Sequence, residues 1–543
     1  MYPLFFVLLI LTGTNHLWGE EAAPMHWSFD SQDSQGFISQ SGAAAFKLLR
    51  QAEQIDGVSG KAVRLSRLDA LRYEDARDVV GDGKFSIQFW IKLEWTSQRY
   101  GHGDVLNFVT QSEEHPWIWR VGFQQVTQRQ LPRGALPLIL RLGEEFTTDQ
   151  QPVLIEPWQW THVAFVGTGS GVEIYRNGGF LGTLNYGEQG LPTQVHTEGT
   201  LQVNGSPNYD VITDKVGLDR ASLRTGVWEN DMRFDELIIA DNLVRPEMRF
   251  PTELRARPAV GQLEQGLNDL QIDPRDHFVI AALIRQARQI DNGADTKELR
   301  AALVERIGAA LQSVRQGHSA LHSQRGHLKL SYWSDVDQSE QFYEVYVPNS
   351  WQGDTPVSLV VALHGGGEDE TVLFERYTLE ERAEEKGWIV VCPYGRGQVG
   401  YRAAGQQDIL DVVAQVQHQW LIDTKRIYGV GHSMGAAGTL RLASDKPDFY
   451  AAVAPIASPW SPDQLEALRE LPTYWIIGDK DFLFPRLEPQ FAAIEAFAKR
   501  TGAPHITQVL AGYDHGGFLD FDFPTVVEVS LPSIFDFFAK HHR

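Results

Sequence analysis

The sequence predicts a multidomain chain: an antiparallel β-sandwich in front, a helical connector, and behind it an α/β unit with a mostly parallel sheet. Three observations carry this reading. From about Met25 to Asn242 short runs alternate apolar and polar residues between Gly-rich turns, the period-2 signature of half-buried strands. Roughly 246 to 318 shifts to helical spacing. Beyond that, apolar strand-like runs end in loops that carry reactive residues, as the strands of an open α/β sheet do. At 543 residues the chain is too long for one domain.

Leu4 to Leu11 is an apolar run too short to cross a bilayer, followed by small and polar residues through Gly19 to Ala23. Residues 1–23 are therefore expected to be a secretory signal peptide, although no Lys or Arg precedes the run. No later stretch is long and apolar enough to span a membrane. The expected location is secreted or periplasmic. A net charge of −22, from 48 Lys and Arg against 70 Asp and Glu, argues against nucleic acid as a partner. A single cysteine, Cys392, excludes an intrachain disulfide and a thiolate metal cluster; it lies in a strand-like run and reads as a small buried residue.

In the first unit, 24–245, Phe85, Ile87, Phe89, Ile91 and Leu93 share one face of a strand. Trp160 to Val166 and Val172 to Leu181 give further strands, with Asn177-Gly178 as a tight hairpin turn, and Phe234 to Ala240 closes the series. Many short strands of this kind indicate a sandwich. Trp90, Trp95, Trp117 and Trp119 are expected on an exposed face, able to stack on sugar rings, against the commoner fate of Trp as core. No pair of glycosidase carboxylates stands out. In the connector, 246–325, Phe278 to Ile290 reads as one helix. Leu299, Leu303, Ile307, Leu311 and Val314 mark another, with Asp295 and Glu298 as a capping box. Arg285, Arg288, Arg300, Arg306 and Arg315 form a basic face, read as a solvated spacer surface.

The chemistry concentrates in 326–543. Arg426 to Val430 is a strand-like run, Ala436 to Ser444 a helix-like one, and between them stands Gly431-His432-Ser433-Met434-Gly435. Strand, Gly-x-Ser-x-Gly, helix is the pattern of a nucleophile elbow, where small flanking residues let strand and helix approach. Thr473 to Ile477 leads into Gly478-Asp479-Lys480-Asp481, and Ile506 to Leu510 leads into Gly512-Tyr513-Asp514-His515. Val357 to Leu363 leads into His364-Gly365-Gly366-Gly367. Serine, aspartate and histidine thus follow in the order such an elbow uses. A hydroxyl needs an imidazole to take its proton, and the imidazole needs a carboxylate to fix its tautomer. The candidates are Ser433 as nucleophile, His515 as base and acid, and Asp481 as orienting carboxylate, with Asp479 as its competitor. The oxyanion donors are expected to be the N–H of Met434 and one from Gly365 or Gly366. His364 is read as shaping that loop, and His432 is given no proton-transfer role.

Residues from about 328 to 543 resemble the α/β-hydrolase superfamily, in particular secreted esterases of the polyhydroxybutyrate depolymerase and feruloyl esterase group. The stretches that match are Leu363 to Gly367, Cys392-Pro393-Tyr394-Gly395-Arg396-Gly397, Asp408 to Val413, Arg426-Ile427-Tyr428, Gly431 to Gly435 and Gly512 to Gly516. The group usually places a further Gly where this chain has Ala436. The resemblance implies carboxylic-ester hydrolysis without a cofactor. The front unit resembles a laminin-G-like or concanavalin-like jelly roll, a type that often binds carbohydrate, sometimes with calcium. Only Ser458 to Pro472 separates two core strands, room for one helix over Asp463 to Leu471 and no lid. An open crevice suits bulky or polymer-attached esters, such as feruloyl or acetyl esters on polysaccharide, or a polyester. Two other readings stand beside this one: a secreted serine peptidase of the prolyl-oligopeptidase-like type, and a carbohydrate-binding protein whose hydrolase unit is inert.

Overall fold

In the computed structural model the description runs over residues 25–543 with interruptions, the longest at 94–103, 110–116, 124–134, 191–198, 204–231, 247–259 and 516–524. The expected signal peptide and Trp95 lie outside the described residues.

Two antiparallel sheets make up the front half. One runs, in spatial order, Gly179–Asn185, Gly171–Arg176, Thr161–Thr168, Lys84–Leu93, Met232–Ala240, Lys61–Leu65, Glu53–Asp56, with Met25–Trp27 paired to Met232–Ala240. The second is built around Leu136–Leu142, Trp117–Phe123, Asp104–Val109 and Gly199–Val203. Phe85, Ile87, Phe89, Ile91 and Leu93 from the first sheet share one apolar core with Phe108, Trp119, Val121, Leu138 and Leu140 from the second. The hairpin at Asn177-Gly178 has φ of 52° and 76°, the doubly left-handed backbone of a type I′ turn, and Asn177 Oδ1 accepts the His162 N–H at 2.8 Å.

The expectation of exposed tryptophans is corrected here. Trp119 is in the core between the sheets, and Trp90 is buried on the opposite face of its strand beside Ser86, Gln88 and Lys92, which are buried too. That face is covered partly by the chain after Ala240: Ser86 Oγ donates to the Asn242 carbonyl at 2.8 Å, and Gln88 Nε2 donates to that of Val244. Period-2 alternation shows which residues share a face, but it does not show that the second face is left wet. The side chain of Trp117 lies outside the description.

Three helices follow: Gly261–Asn268, Pro274–Gln289 and Lys297–Arg315. The second starts where Asp273 accepts the Arg275 N–H and Pro274 takes the first helical position. The third has Thr296 at its N-cap with no side-chain cap; Asp295, expected to form a capping box with Glu298, lies outside the described residues. Arg285, Arg288 and Arg315 are exposed, as the solvated basic face predicts, but the helices are not a mere spacer. Val279, Ile280, Leu283, Ile284, Leu303, Ile307 and Leu311 belong to the same apolar core as the C-terminal sheet. Arg285 pairs with Glu340 at 2.7 Å, and Arg288 pairs with Glu264.

The C-terminal sheet has eight strands in the order Gly326–Ser334, Ser339–Val347, Ile389–Pro393, Val357–Leu363, Ile422–His432, Ala452–Ile456, Thr473–Gly478, His505–Leu510. The first two pairings are antiparallel and those from Ile389–Pro393 onward are parallel. The chain leaves Val357–Leu363 toward one edge, then returns to its other side as Ile422–His432. This change of direction makes the C-terminal ends of the two strands the switch point at which an open α/β sheet places its ligand crevice. The segment joining Ala452–Ile456 to Thr473–Gly478 carries the helix Pro462–Ala467, shorter than the expected Asp463 to Leu471 and opened by a capping box of Ser461 and Gln464.

Candidate active site

Ser433 stands between the strand Ile422–His432 and the helix Met434–Asp445 with φ 53° and ψ −113°, a conformation that non-glycine residues seldom adopt. Its N–H donates to the Ile456 carbonyl on the neighbouring strand at 2.9 Å, which anchors the turn. The glycines on either side are required by space. A Cβ on Gly431 would lie 2.4 Å from the Gly435 carbonyl, and one on Gly435 would lie 2.0 Å from the Leu363 oxygen. Strand, helix and the loop after Val357–Leu363 touch backbone to backbone.

The three sequence-named side chains meet. His515 Nε2 is 2.9 Å from Ser433 Oγ, and His515 Nδ1 is 2.7 Å from Asp481 Oδ2. Asp481 and His515 are buried and Ser433 is half-buried. The second oxygen of Asp481 accepts the Leu483 N–H at 2.7 Å. With an ionised Asp481 accepting from Nδ1, Nε2 presents its lone pair to the serine hydroxyl, so the chain can move a proton from oxygen to nitrogen. Asp479 does a different job. Its Oδ1 accepts the Gly512 N–H at 2.7 Å, which ties the loop carrying the aspartates to the loop carrying the histidine. Lys480 N–H reinforces the tie by donating to the Tyr513 carbonyl at 2.9 Å. Asp514 is half-buried beside it.

Of the oxyanion candidates, Met434 is the first residue of its helix, so its N–H has no intrahelical acceptor. Gly365 is a correction: its N–H is taken by Glu368 Oε2 at 2.7 Å. Gly366 follows in a turn and is exposed. Sequence reading missed Glu368, because a carboxylate three residues past a glycine gives no sign that it will fold back.

His364 holds the loop by its surroundings. Its N–H donates to Tyr401 Oη at 3.0 Å, and its ring nitrogens face the carbonyls of Gly365 and Tyr394 at 2.9 and 3.0 Å. His432 is buried, with Nε2 against the carbonyl of His515, and burial lowers its pKa to about 4. It is therefore a neutral donor that steadies the backbone of its neighbour. The Arg396 guanidinium grips the buried Asp408 at 2.6 Å, and Tyr332 donates to the same carboxylate at 2.9 Å. These contacts account for two of the motif stretches as scaffold under the loop 394–401. Among the described residues no group of three or more His, Cys, Asp or Glu side chains is placed to hold a metal ion.

No family model matches the chain. Over 159 residues it is 28% identical to a bifunctional acetylxylan esterase/xylanase of Neocallimastix patriciarum, which covers 28% of this chain and 23% of that protein. Over 66 residues it is 44% identical to cutinase 2 of Thermobifida cellulosilytica, covering 12% and 24%. Over 138 residues it is 28% identical to feruloyl esterase B of Talaromyces stipitatus, covering 23% and 38%. The chain thus spans only about a quarter of the length of the first two relatives. Among solved structures, a thermostable esterase aligns with TM-score 0.33 at 17% identity over 40% of this chain and 63% of the other. S-formylglutathione hydrolase from Staphylococcus aureus aligns with TM-score 0.32 at 20% identity over 39% and 98%. Part of the chain is therefore similar in sequence to esterases.

Proposed function

We propose that this chain is a serine carboxylic-ester hydrolase in which Ser433, His515 and Asp481 act as a triad. The observation that carries the reading is the unbroken contact chain from hydroxyl to imidazole to carboxylate, at 2.9 and 2.7 Å. Esterase relatives support it from a separate direction. In the proposed reaction Ser433 Oγ attacks the ester carbonyl as His515 Nε2 takes its proton. Negative charge collects on the carbonyl oxygen, where the N–H groups of Met434 and Gly366 receive it, each worth about 3 kcal/mol of barrier. His515 then gives the proton to the departing alcohol, and water repeats the sequence on the acyl-enzyme. No cofactor enters this scheme.

The proposed substrates are polymer-attached: feruloyl or acetyl esters on polysaccharide, or a polyester. The support is the short segment Ser458 to Pro472, with its single helix Pro462–Ala467, and the polymer-degrading names of the relatives. We further propose a secreted or periplasmic protein whose residues 24–245 form a laminin-G-like attachment unit for carbohydrate. Residues 246–325 would pack with the catalytic part at 326–543. Sugar stacking on Trp90 or Trp119 is not part of the proposal, since both are buried. Calcium in the sandwich stays with the jelly-roll resemblance alone. No helix among the described residues is long and apolar enough to cross a membrane.

The test is a fluorophosphonate probe with a panel of p-nitrophenyl esters, methyl ferulate and peptide anilides. Labelling and ester turnover that vanish in Ser433→Ala are expected. An unlabelled wild type, or faster cleavage of the anilides, would sink the reading.

A further inference from the structure

Beside the imidazole lies a group that the proposed mechanism does not use. The ring of Phe482 packs on that of His515, centroids 4.4 Å apart and planes 55° from parallel, yet the residue is 70% exposed. None of the other large apolar side chains described is so exposed. The backbone around it is pinned: Leu483 N–H donates to Asp481 Oδ1 at 2.7 Å, and Phe484 N–H donates to the Asp481 carbonyl at 2.9 Å. Leu483 and Phe484 turn inward against the core, and the helix Phe484–Thr501 starts at once. Of three consecutive apolar residues, the one left outside is the one lying on the base.

We propose that Phe482 is a specificity-determining residue that takes the alcohol portion of the ester, with a preference for a sugar-like ring over a methyl group. This rests on the hydrolase reading above. When the Ser433 Oγ–carbon bond has formed and the carbon–oxygen bond to the alcohol breaks, the proton that left Ser433 passes from His515 Nε2 to the departing oxygen. The alcohol must therefore lie against the imidazole, where Phe482 already packs. An aromatic face offers the C–H edges of a sugar ring an apolar contact, and a bound substrate would cover a surface that otherwise stays in water. The acyl group, held over Ser433 with its oxygen toward Met434 N–H, would lie on the side of the reacting carbon away from the departing oxygen.

The experiment compares Phe482→Ala and Phe482→Tyr with wild type on two esters of one acyl group, a methyl ester and a monosaccharide ester. Deacylation is followed separately by single turnover of the acyl-enzyme. Phe482→Ala should lose about tenfold in kcat/KM on the sugar ester and less than about twofold on the methyl ester, with deacylation unchanged. Phe482→Tyr should restore the sugar ester. An equal fall on both esters, with slowed deacylation or a shifted pH profile, would make Phe482 a mere support for His515 and overturn the proposal. So would no change on either ester while fluorophosphonate still labels Ser433. A wild type that the probe does not label would bring down the hydrolase reading and this proposal with it.

Discussion

Replacing Gly435 by alanine tests whether the site depends on the close approach of helix and loop. The added carbon would stand 2.0 Å from the Leu363 oxygen, 2.5 Å from its carbonyl carbon and 2.6 Å from the His364 oxygen. All three obstacles are backbone at the end of a central strand, so no side chain can rotate aside. Ordinary contact begins near 3.4 Å, so the helix start and the loop must part by about 1.4 Å. That parting moves Met434 N–H away from Gly366 N–H, the two donors proposed to converge on one oxygen. A displacement of about 1 Å costs on the order of 100-fold in rate, and overpacking of this kind costs about 1–3 kcal/mol of stability. The expected variant is folded, melts several degrees lower, and hydrolyses a p-nitrophenyl ester about 100-fold more slowly. Thermal unfolding and steady-state turnover on one preparation read both effects. Wild-type turnover with wild-type melting would refute the argument, since two backbones cannot share the space the alanine needs.

Other outcomes follow from the same contacts. Asp481→Asn should lower kcat by about 10⁴, because an amide no longer fixes the imidazole tautomer; Asp479→Asn, which keeps an oxygen for Gly512, should cost far less. A comparable loss in both variants would reverse the assignment of the two aspartates. Gly308→Ala, in the helix Lys297–Arg315 with open space around it, should raise stability by about 0.5–1 kcal/mol in urea unfolding, and a loss would refute the placement. His327 adds a pH effect. Burial alone would lower its pKa, but Glu344 and Glu380, at 2.7 and 2.8 Å from its two ring nitrogens, raise it to about 9. The folded chain then holds a proton that the unfolded chain has lost, so this stabilisation is complete below the ordinary value of 6.5 and disappears as pH rises through about 9. Glu380→Gln should flatten that alkaline decline in unfolding free energy; an identical decline would count against the pairing.

Much of the site could be read from residues alone because its parts are local. The strand Val357–Leu363 is bounded as its apolar run indicates, and the strands before the aspartates and His515 differ by a residue at one end. Ser433 declared itself through the glycines that its contacts require. What stayed hidden depends on approach in three dimensions. The choice between Asp479 and Asp481 is decided by which oxygen meets an imidazole and which meets a backbone amide. Glu368 reaching back to Gly365, and Phe482 lying outside while its neighbours turn in, leave no periodic trace. Trp90 misled for a related reason: alternation assigns residues to faces, but burial of the second face depends on chain about 150 residues downstream. The helices of 261–315 misled because an amphipathic stripe says that something covers it without saying what.

The helices that share the C-terminal core bear on how this protein can be dissected. Asp276 accepts the Ala320 N–H and a Gln419 amide proton at 2.8 Å each and meets His418 at 3.0 Å, so a carboxylate from the second helix is stitched into the helix Ala404–Gln419. A gene fragment started at residue 326 would strip the apolar cover from Leu328 and Leu330 and leave Gln419 without its partner. Such a truncation should aggregate in expression, whereas one opened ahead of Val260 carries its own wrapping and is the better starting point for biochemistry.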